Sequence, residues 1–191
     1  PDKIIRNKGA KAGESIILTK PIGTGIINTA LKAGMASEKT IEIVTLSMKE
    51  LNRRASEIMK EAGASSATDV TGFGLLGHLY EMVRGQDIGM MVEPEKVSIF
   101  PDVENFAKMG IVPAGTHSNK KAREEFVVIE KKIEPYFLDI LFDAQTSGGL
   151  LFTLPREKAD GVIEQLKKEG ISHASIIGEV IPEPKGKILL R

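Results

Sequence analysis

The chain has 191 residues, of which 41% are hydrophobic, and it carries 26 basic and 26 acidic side chains. This length fits one domain with a buried core, and the balanced charge argues against nucleic-acid binding through a general basic surface. Because there is no cysteine, disulfides, thiolate metal sites and thiol nucleophiles are excluded. No apolar run approaches the roughly 18 residues of a membrane span, so a cytoplasmic domain is expected.

Apolar runs and turn-forming residues alternate along the chain in a pattern that predicts mixed α and β structure. Short β-branched runs indicate strands, and apolar residues three or four positions apart indicate helices. In chain order, the sequence predicts a strand over 14–20, helices over 26–33 and 40–62, a strand over 65–70, a helix over 75–83, a strand over 87–93, a short helix over 103–109, a mostly helical stretch over 120–142, a strand over 150–154, a helix that begins at Pro155 and stops at Gly170, and strands over 174–180 and 187–190.

The long helix over 40–62 has the clearest pattern, with Thr40 as its cap and Gly63 as a left-handed stop. Residues 112–116 are predicted to form a loop. The Pro/Gly-rich segment 182–186 suits a hairpin between the last two strands. Strands that alternate with helices predict an α/β or α+β sandwich.

The segment 68–74 places a carboxylate, Asp69, at the end of a predicted strand, followed by glycines and the start of a helix. Strand ends beside helix starts are where α/β folds place ligands, and a helix amino terminus favours phosphate. A lone carboxylate there suits Mg²⁺, which takes oxygen ligands and often only one or two from the protein. An aspartate that caps the turn or the helix explains the same pattern equally well.

The segment 143–149 is a second polar, glycine-rich turn, and it leads into a strand. Its backbone N–H groups could form an anion-binding nest, although a purely structural turn fits slightly better. Lys20, followed by the glycine-rich turn 23–25, could touch a phosphate. The remaining residues of a P-loop are missing there.

The three histidines, His78, His117 and His173, share no metal-ligand spacing. His78 lies on an apolar helix and is predicted to be packed rather than catalytic. His117 is a slightly better functional candidate because it lies in a predicted loop beside Thr116 and Asn119. His173 is predicted to be a surface turn residue.

Taken in order, the segments 20–26, 69–79, 112–119 and 143–151 resemble the carboxy-terminal half of selenophosphate synthetases, also called selenide, water dikinases. The resemblance extends from about Asn7 to Val180. Parts of these motifs recur in aminoimidazole ribonucleotide synthetase, thiamine-monophosphate kinase and a hydrogenase maturation factor. The Gly-Thr-x-x-Asn element at 115–119 favours the selenium enzyme. Two positions depart from the family pattern: Ala114 replaces an expected glycine, and Ala144 replaces a frequent proline.

The resemblance implies a three-layer α-β-α sandwich with a mixed sheet, partly ferredoxin-like. Residues 1–191 would form a single carboxy-terminal domain, and the amino-terminal ATP-binding and catalytic half would be absent from this chain. The complete enzyme would convert selenide, ATP and water into selenophosphate, AMP and phosphate with Mg²⁺. It would be a homodimer held mainly through the missing half.

The resemblance assigns a chemical role to one residue: Asp69 would be the Mg²⁺ ligand of this half. No catalytic residue is expected in this chain. The residues expected to line the ATP site are Lys20, Thr71, Gly72, Thr146, Ser147, Gly148 and Gly149. Two alternatives stay open, namely another enzyme of the same superfamily and a stand-alone binding domain without catalysis.

Overall fold

The computed structural model describes residues 4–191, and within them eight α-helices pack on one seven-stranded sheet. The strands are β1 (Glu14–Leu18), β2 (Ser66–Asp69), β3 (Gly89–Val92), β4 (Val127–Ile129), β5 (Leu150–Pro155), β6 (Ser175–Ile181) and β7 (Ile188–Leu190). The helices are α1 (Thr24–Lys32), α2 (Glu38–Lys49), α3 (Arg53–Ala62), α4 (Gly74–Val83), α5 (Val103–Lys108), α6 (Ala114–Arg123), α7 (Pro135–Phe142) and α8 (Arg156–Lys168). None of these helices has both the length and the apolar character needed to cross a bilayer.

The sheet has the order β2-β5-β1-β6-β3-β7-β4. Its first five strands are antiparallel to their neighbours, whereas β7 runs parallel to both β3 and β4. Strands β6, β1, β5 and β2, with helices α3 and α8 between them along the chain, form the βαββαβ arrangement of ferredoxin-like folds. The predicted mixed-sheet sandwich with a partly ferredoxin-like arrangement is therefore confirmed.

Two apolar cores lie on opposite faces of the sheet. The side chains of β1 alternate between them, so that Ile16 and Leu18 enter one core while Ile17 enters the other. The first core is closed by residues of α1, α4, α5 and α7, and the second by residues of α3 and α8. Helices therefore cover both faces, which gives three layers.

The prediction of one helix over 40–62 is wrong, because the chain breaks between α2 and α3. Ser37, rather than Thr40, caps the start of α2, whereas Gly63 adopts the predicted left-handed stop with φ 79°. The apolar spacing continues across the break, but Val44 packs in the first core and Ile58 in the second. One straight helix could not reach both faces of the sheet.

The region between residues 112 and 142 also differs from its prediction. Helix α6 begins within the predicted loop at Ala114, and the stretch 120–142 contains strand β4 between α6 and α7. Phe126 stacks on Tyr80 with 4.2 Å between ring centroids, and Lys187 Nζ lies 5.6 Å from the Phe126 ring. These contacts hold the chain beside β7, where the β-branched residues of β4 can pair.

The predicted hairpin between the last two strands is wrong, because β3 lies between β6 and β7. The segment that joins them crosses the end of β3. Gly186 N donates to Ile88 O at 2.8 Å, and a Cβ on Gly89 would lie 2.3 Å from Pro184 O. A proline- and glycine-rich crossover has the same composition as a hairpin turn, so the sequence could not distinguish them.

Candidate functional site

Asp69 is the last residue of β2, the strand at one edge of the sheet. It pairs in register with Leu150, the first residue of β5, and its side chain is exposed. The carboxylate therefore projects to solvent at the sheet end where β2 stops and the loop to α4 begins.

The loop after Asp69 is fixed by a buried histidine. His78 Nε2 accepts a hydrogen bond from the backbone N–H of Thr71 at 2.9 Å, so this nitrogen is unprotonated. Burial lowers the pKa of His78, which favours the same neutral form. His78 is packed, as predicted, and it holds the loop so that Gly72 and Phe73 are exposed.

The second glycine-rich segment lies directly against this loop. Val70 N donates to Gly149 O at 2.9 Å, and Gln145 N donates to Thr71 O at 3.0 Å. A Cβ on Gly148 would lie only 2.2 Å from Val70 O, so this close approach requires a glycine. The two segments singled out in the sequence therefore form one continuous surface.

The side chains of Asp143 and Gln145 point inward, and they cap helix α1. Asp143 Oδ2 accepts from the N–H groups of Gly25 and Ile26 at 3.0 and 3.2 Å. Gln145 Oε1 accepts from the N–H groups of Gly23 and Thr24 at 2.9 and 3.2 Å. These four bonds occupy the donors that a helix start leaves free, so the first turn of α1 is satisfied from a distant segment.

Burial raises the pKa of Asp143 to about 6, opposed by the hydrogen bonds that its carboxylate accepts from Ile26, Thr116, Gln145 and Gly25. A Cβ on Gly25 would lie 2.5 Å from Asp143 Oδ1, so glycine is needed for the carboxylate to approach.

Sequence reasoning missed the capping role of Asp143 and Gln145. One signal was available: the residues around Gly23 offer no Asp, Asn or Ser in the usual capping position of a helix that follows.

Lys20 is buried, and its ammonium group is used within the chain. Its Nζ donates to Ser47 O, Glu50 O and Ser147 O at 2.9, 2.7 and 3.2 Å. Burial lowers the pKa of Lys20, and the nearby charge of Glu50 opposes this effect. The lysine thus ties the loop that carries Ser147 to the corner between α2 and α3. Asn52 supports the same corner, because its side-chain amide donates to Gly148 O at 2.9 Å.

The Gly115–Asn119 element joins the same cluster through two side chains at the start of α6. Thr116 Oγ1 donates to Asp143 Oδ1 at 3.0 Å, and Asn119 Nδ2 donates to Gly72 O at 2.8 Å and to Phe142 O at 3.2 Å. His117 is exposed and has no such contact among the described residues, and His173 is exposed as predicted. All four motif segments therefore meet in one hydrogen-bonded cluster.

The residues predicted to bind ligand separate into a surface group and a supporting group. Asp69, Gly72, Thr146 and Ser147 are exposed, and Thr71 is half-buried. Lys20, Gly148 and Gly149 are buried beneath them.

The described residues contain no complete metal site of their own. Across residues 4–191, no three His, Cys, Asp or Glu side chains are grouped closely enough to hold a metal ion. Asp69 alone can supply one carboxylate ligand, and a second component would have to complete the coordination shell.

The curated proteins that this chain resembles in sequence include several selenide, water dikinases. The selenide, water dikinase 2 of Peptoclostridium acidaminophilum is 40% identical over the whole of this chain, which covers 54% of that protein. The selenide, water dikinase of Caldanaerobacter subterraneus subsp. tengcongensis is 41% identical over the whole chain, which covers 55% of it. The chain thus spans about half the length of the curated relatives it matches.

The fold is shared with more distant proteins. The crystal structure of hydrogenase maturation protein HypE in complex with ATP superposes with a TM-score of 0.71 at 18% identity, covering 100% of this chain and 50% of that one. Residues 11–191 match the family described as AIR synthase related protein, C-terminal domain. The chain therefore belongs to that family.

Proposed function

We propose that this chain is the carboxy-terminal half of a selenophosphate synthetase, which makes selenophosphate, AMP and phosphate from selenide, ATP and water. The observation that carries the proposal is the identity of about 40% with selenide, water dikinases over the full chain. The superfamily alternatives have weaker support, because the likeness to HypE rests on 18% identity and concerns the fold alone. A complete enzyme of this kind would be cytoplasmic and homodimeric, with its dimer contact mainly in the other half.

The exposed residues give this surface a chemistry suited to a nucleotide phosphate. Asp69 would supply one ligand to a Mg²⁺ ion shared with the other half, and this ion, when bound, would neutralise phosphate charge. The hydroxyls of Thr146 and Ser147 can donate hydrogen bonds, and the amino terminus of α4 adds a partial positive charge. Lys20, Gly148 and Gly149 would act from beneath by holding the loop in place. The HypE structure that shares this fold is a complex with ATP, which is consistent with a nucleotide here.

The proposal is tested by Asp69→Asn in the complete enzyme. Selenide-dependent AMP formation at fixed Mg²⁺ is expected to fall roughly a hundredfold or more, since the variant loses a charged metal ligand. Thermal stability is expected to be unchanged because the side chain is exposed. Asp87→Asn is the matched control, since Asp87 is an exposed aspartate whose contact is with Lys185. Wild-type activity of the Asp69 variant would rule out the metal role.

A further inference from the structure

Arg123, the last residue of α6, is a cation without an acceptor. Its Nε is buried and has no hydrogen-bond partner among residues 4–191. No carboxylate in that range lies within salt-bridge distance of Arg123, although Glu124 and Glu125 follow it directly in the chain. A polar group that leaves water without gaining a partner costs free energy. The unpaired guanidinium is therefore a candidate for binding an anion.

The fold holds this guanidinium against the loop that precedes α4. Arg123 Cζ lies 4.4 Å from the centroid of the Phe73 ring. One turn earlier on α6, Asn119 Nδ2 donates to Gly72 O at 2.8 Å, so the helix is fixed to the same loop. A Cβ on Gly77 would lie 2.6 Å from Phe73 Cβ and 3.6 Å from Arg123 Cδ and Nε. Glycine at this position of α4 therefore leaves room for the ring and the arginine to pack together.

The same loop begins at a carboxylate that is also unpaired. Asp69 is exposed and has no ion-pair partner within the described part of the chain. Burial is the main cause of the lowered pKa of His78, and beyond it the charge of Asp69 raises that pKa while the charge of Arg123 lowers it. Both charges therefore act on one buried ring, yet they do not pair with each other. A ligand that satisfies both must carry positive and negative charge together.

A metal-bound phosphate has this combination of charges. Mg²⁺ takes carboxylate oxygens as ligands, which suits Asp69. The planar guanidinium of Arg123 matches the oxygens of a phosphate, to which it can donate two parallel hydrogen bonds. A carboxylate ligand without a metal would satisfy Arg123 but would be repelled by Asp69, and a free cation would have the opposite difficulty. The pair of unpaired charges thus favours a phosphate that arrives with its metal ion.

We propose that Arg123 binds a phosphate oxygen of the nucleotide whose Mg²⁺ ion is bound by Asp69. This assignment rests on the proposed function and adds a second charged contact to that site. Arg123 is a binding residue rather than an acid or base, because a guanidinium keeps its proton in proteins. Its contact with Phe73 positions the side chain before the ligand arrives, so less conformational freedom is lost on binding.

Arg123→Met in the complete enzyme tests the assignment, because it keeps an apolar stem against Phe73 and removes the charge. Binding of Mg²⁺–ATP and of Mg²⁺–tripolyphosphate is measured by calorimetry without selenide. Both affinities should fall by the same factor, about tenfold to a hundredfold. Arg123→Lys keeps the charge but loses the planar fork, so it should recover part of the loss. Arg84→Met is the matched control, since Arg84 is exposed at the opposite end of α4 and should leave both affinities unchanged.

Two results would overturn the assignment: unchanged affinities in Arg123→Met, or equal losses in the Met and Lys variants, which would mean that the charge is not used. Melting temperatures close to that of wild type are expected for both variants and would separate lost binding from lost folding. The selenide-dependent reaction is assayed separately. Wild-type enzyme that binds Mg²⁺–ATP without forming AMP from selenide would refute the proposed function, while the two Arg123 variants would still decide the phosphate contact. Wild-type enzyme that binds neither probe would overturn both.

Discussion

At the scale of single residues, Asp143 has the most consequential environment in the chain. Its carboxylate is buried and accepts bonds from α1, Thr116 and Gln145, and its folded-state pKa is raised from 3.8 to about 6. A raised carboxyl pKa means that the folded protein binds the proton more tightly than the unfolded chain does. Its contribution to stability is therefore full below about pH 4 and is lost as pH rises through about 6.

Asp143→Asn is expected to remove this pH dependence. The amide oxygen of the variant can keep the bonds from Gly25 and Ile26. In wild type the Thr116 hydroxyl donates to the carboxylate, whereas in the variant the amide nitrogen would donate to the Thr116 hydroxyl. In chemical denaturation, the unfolding free energy of wild type minus that of the variant should fall by about 2 kcal/mol between pH 4 and pH 7.

A substitution that removes the hydrogen-bond acceptor altogether provides the control. Asp143→Ala leaves the same backbone donors unpaired, so it should destabilise the protein at every pH. If the difference in unfolding free energy between wild type and Asp143→Asn does not change with pH, the Asp143 carboxyl does not titrate in the way proposed.

The directions and hydrogen-bond partners of the site's side chains were predicted less completely than their positions in the chain. The position of Asp69 at the end of a strand and the packing of His78 followed from strand and helix patterns. The inward direction of Asp143 could not be predicted, because a glycine-rich polar turn looks the same whether its side chains bind a ligand or cap a remote helix. Deciding between these needs the position of α1, which depends on the whole fold.

At the scale of elements, the corner between α2 and α3 is held by Lys20 together with Asn52, a residue of the corner itself. Lys20→Met is expected to lower the unfolding free energy by about 1–3 kcal/mol, because three partly buried carbonyls lose a charged donor. Limited chymotrypsin digestion should then cut faster after Leu51, whose side chain is 80% exposed at this corner.

Lys49→Met is the matched control, since Lys49 is an exposed lysine in the last turn of α2. Equal cleavage rates for the two variants would mean that Lys20 does not hold the corner.

Helices and strands were predicted correctly where their signals come from residues close together in the sequence. Strand β1 and helix α4 lie close to their predicted bounds because periodicity and glycine stops are local signals. The break before α3 and the separation of β6 from β7 depend on which sheet face a segment packs against and on the insertion of β3. Sequence periodicity carries neither kind of information.

At the scale of the whole molecule, the chain is expected to be incomplete as a catalyst. A single candidate metal ligand and a solvent-exposed loop surface should give weak ATP binding at best. The purified chain is therefore expected to show no selenide-dependent ATP consumption.

Calorimetry and an AMP-release assay check this prediction, and adding the other half of the enzyme in trans should restore turnover. Micromolar ATP binding or clear turnover by the chain alone would mean that the site is more complete than the two-half proposal allows.

The cap on α1 also has a consequence for how the chain is made. Asp143 follows the helix start it satisfies by 118 positions, so α1 leaves the ribosome long before its cap exists. Until that segment is synthesised, the first turn of α1 can bond only to water, and contacts this distant along the chain form slowly. The surface formed by the two glycine-rich loops therefore cannot be completed before the segment that contains Asp143 has been synthesised. A nascent chain that stalls before residue 143 would carry the helix without the loop that orders it.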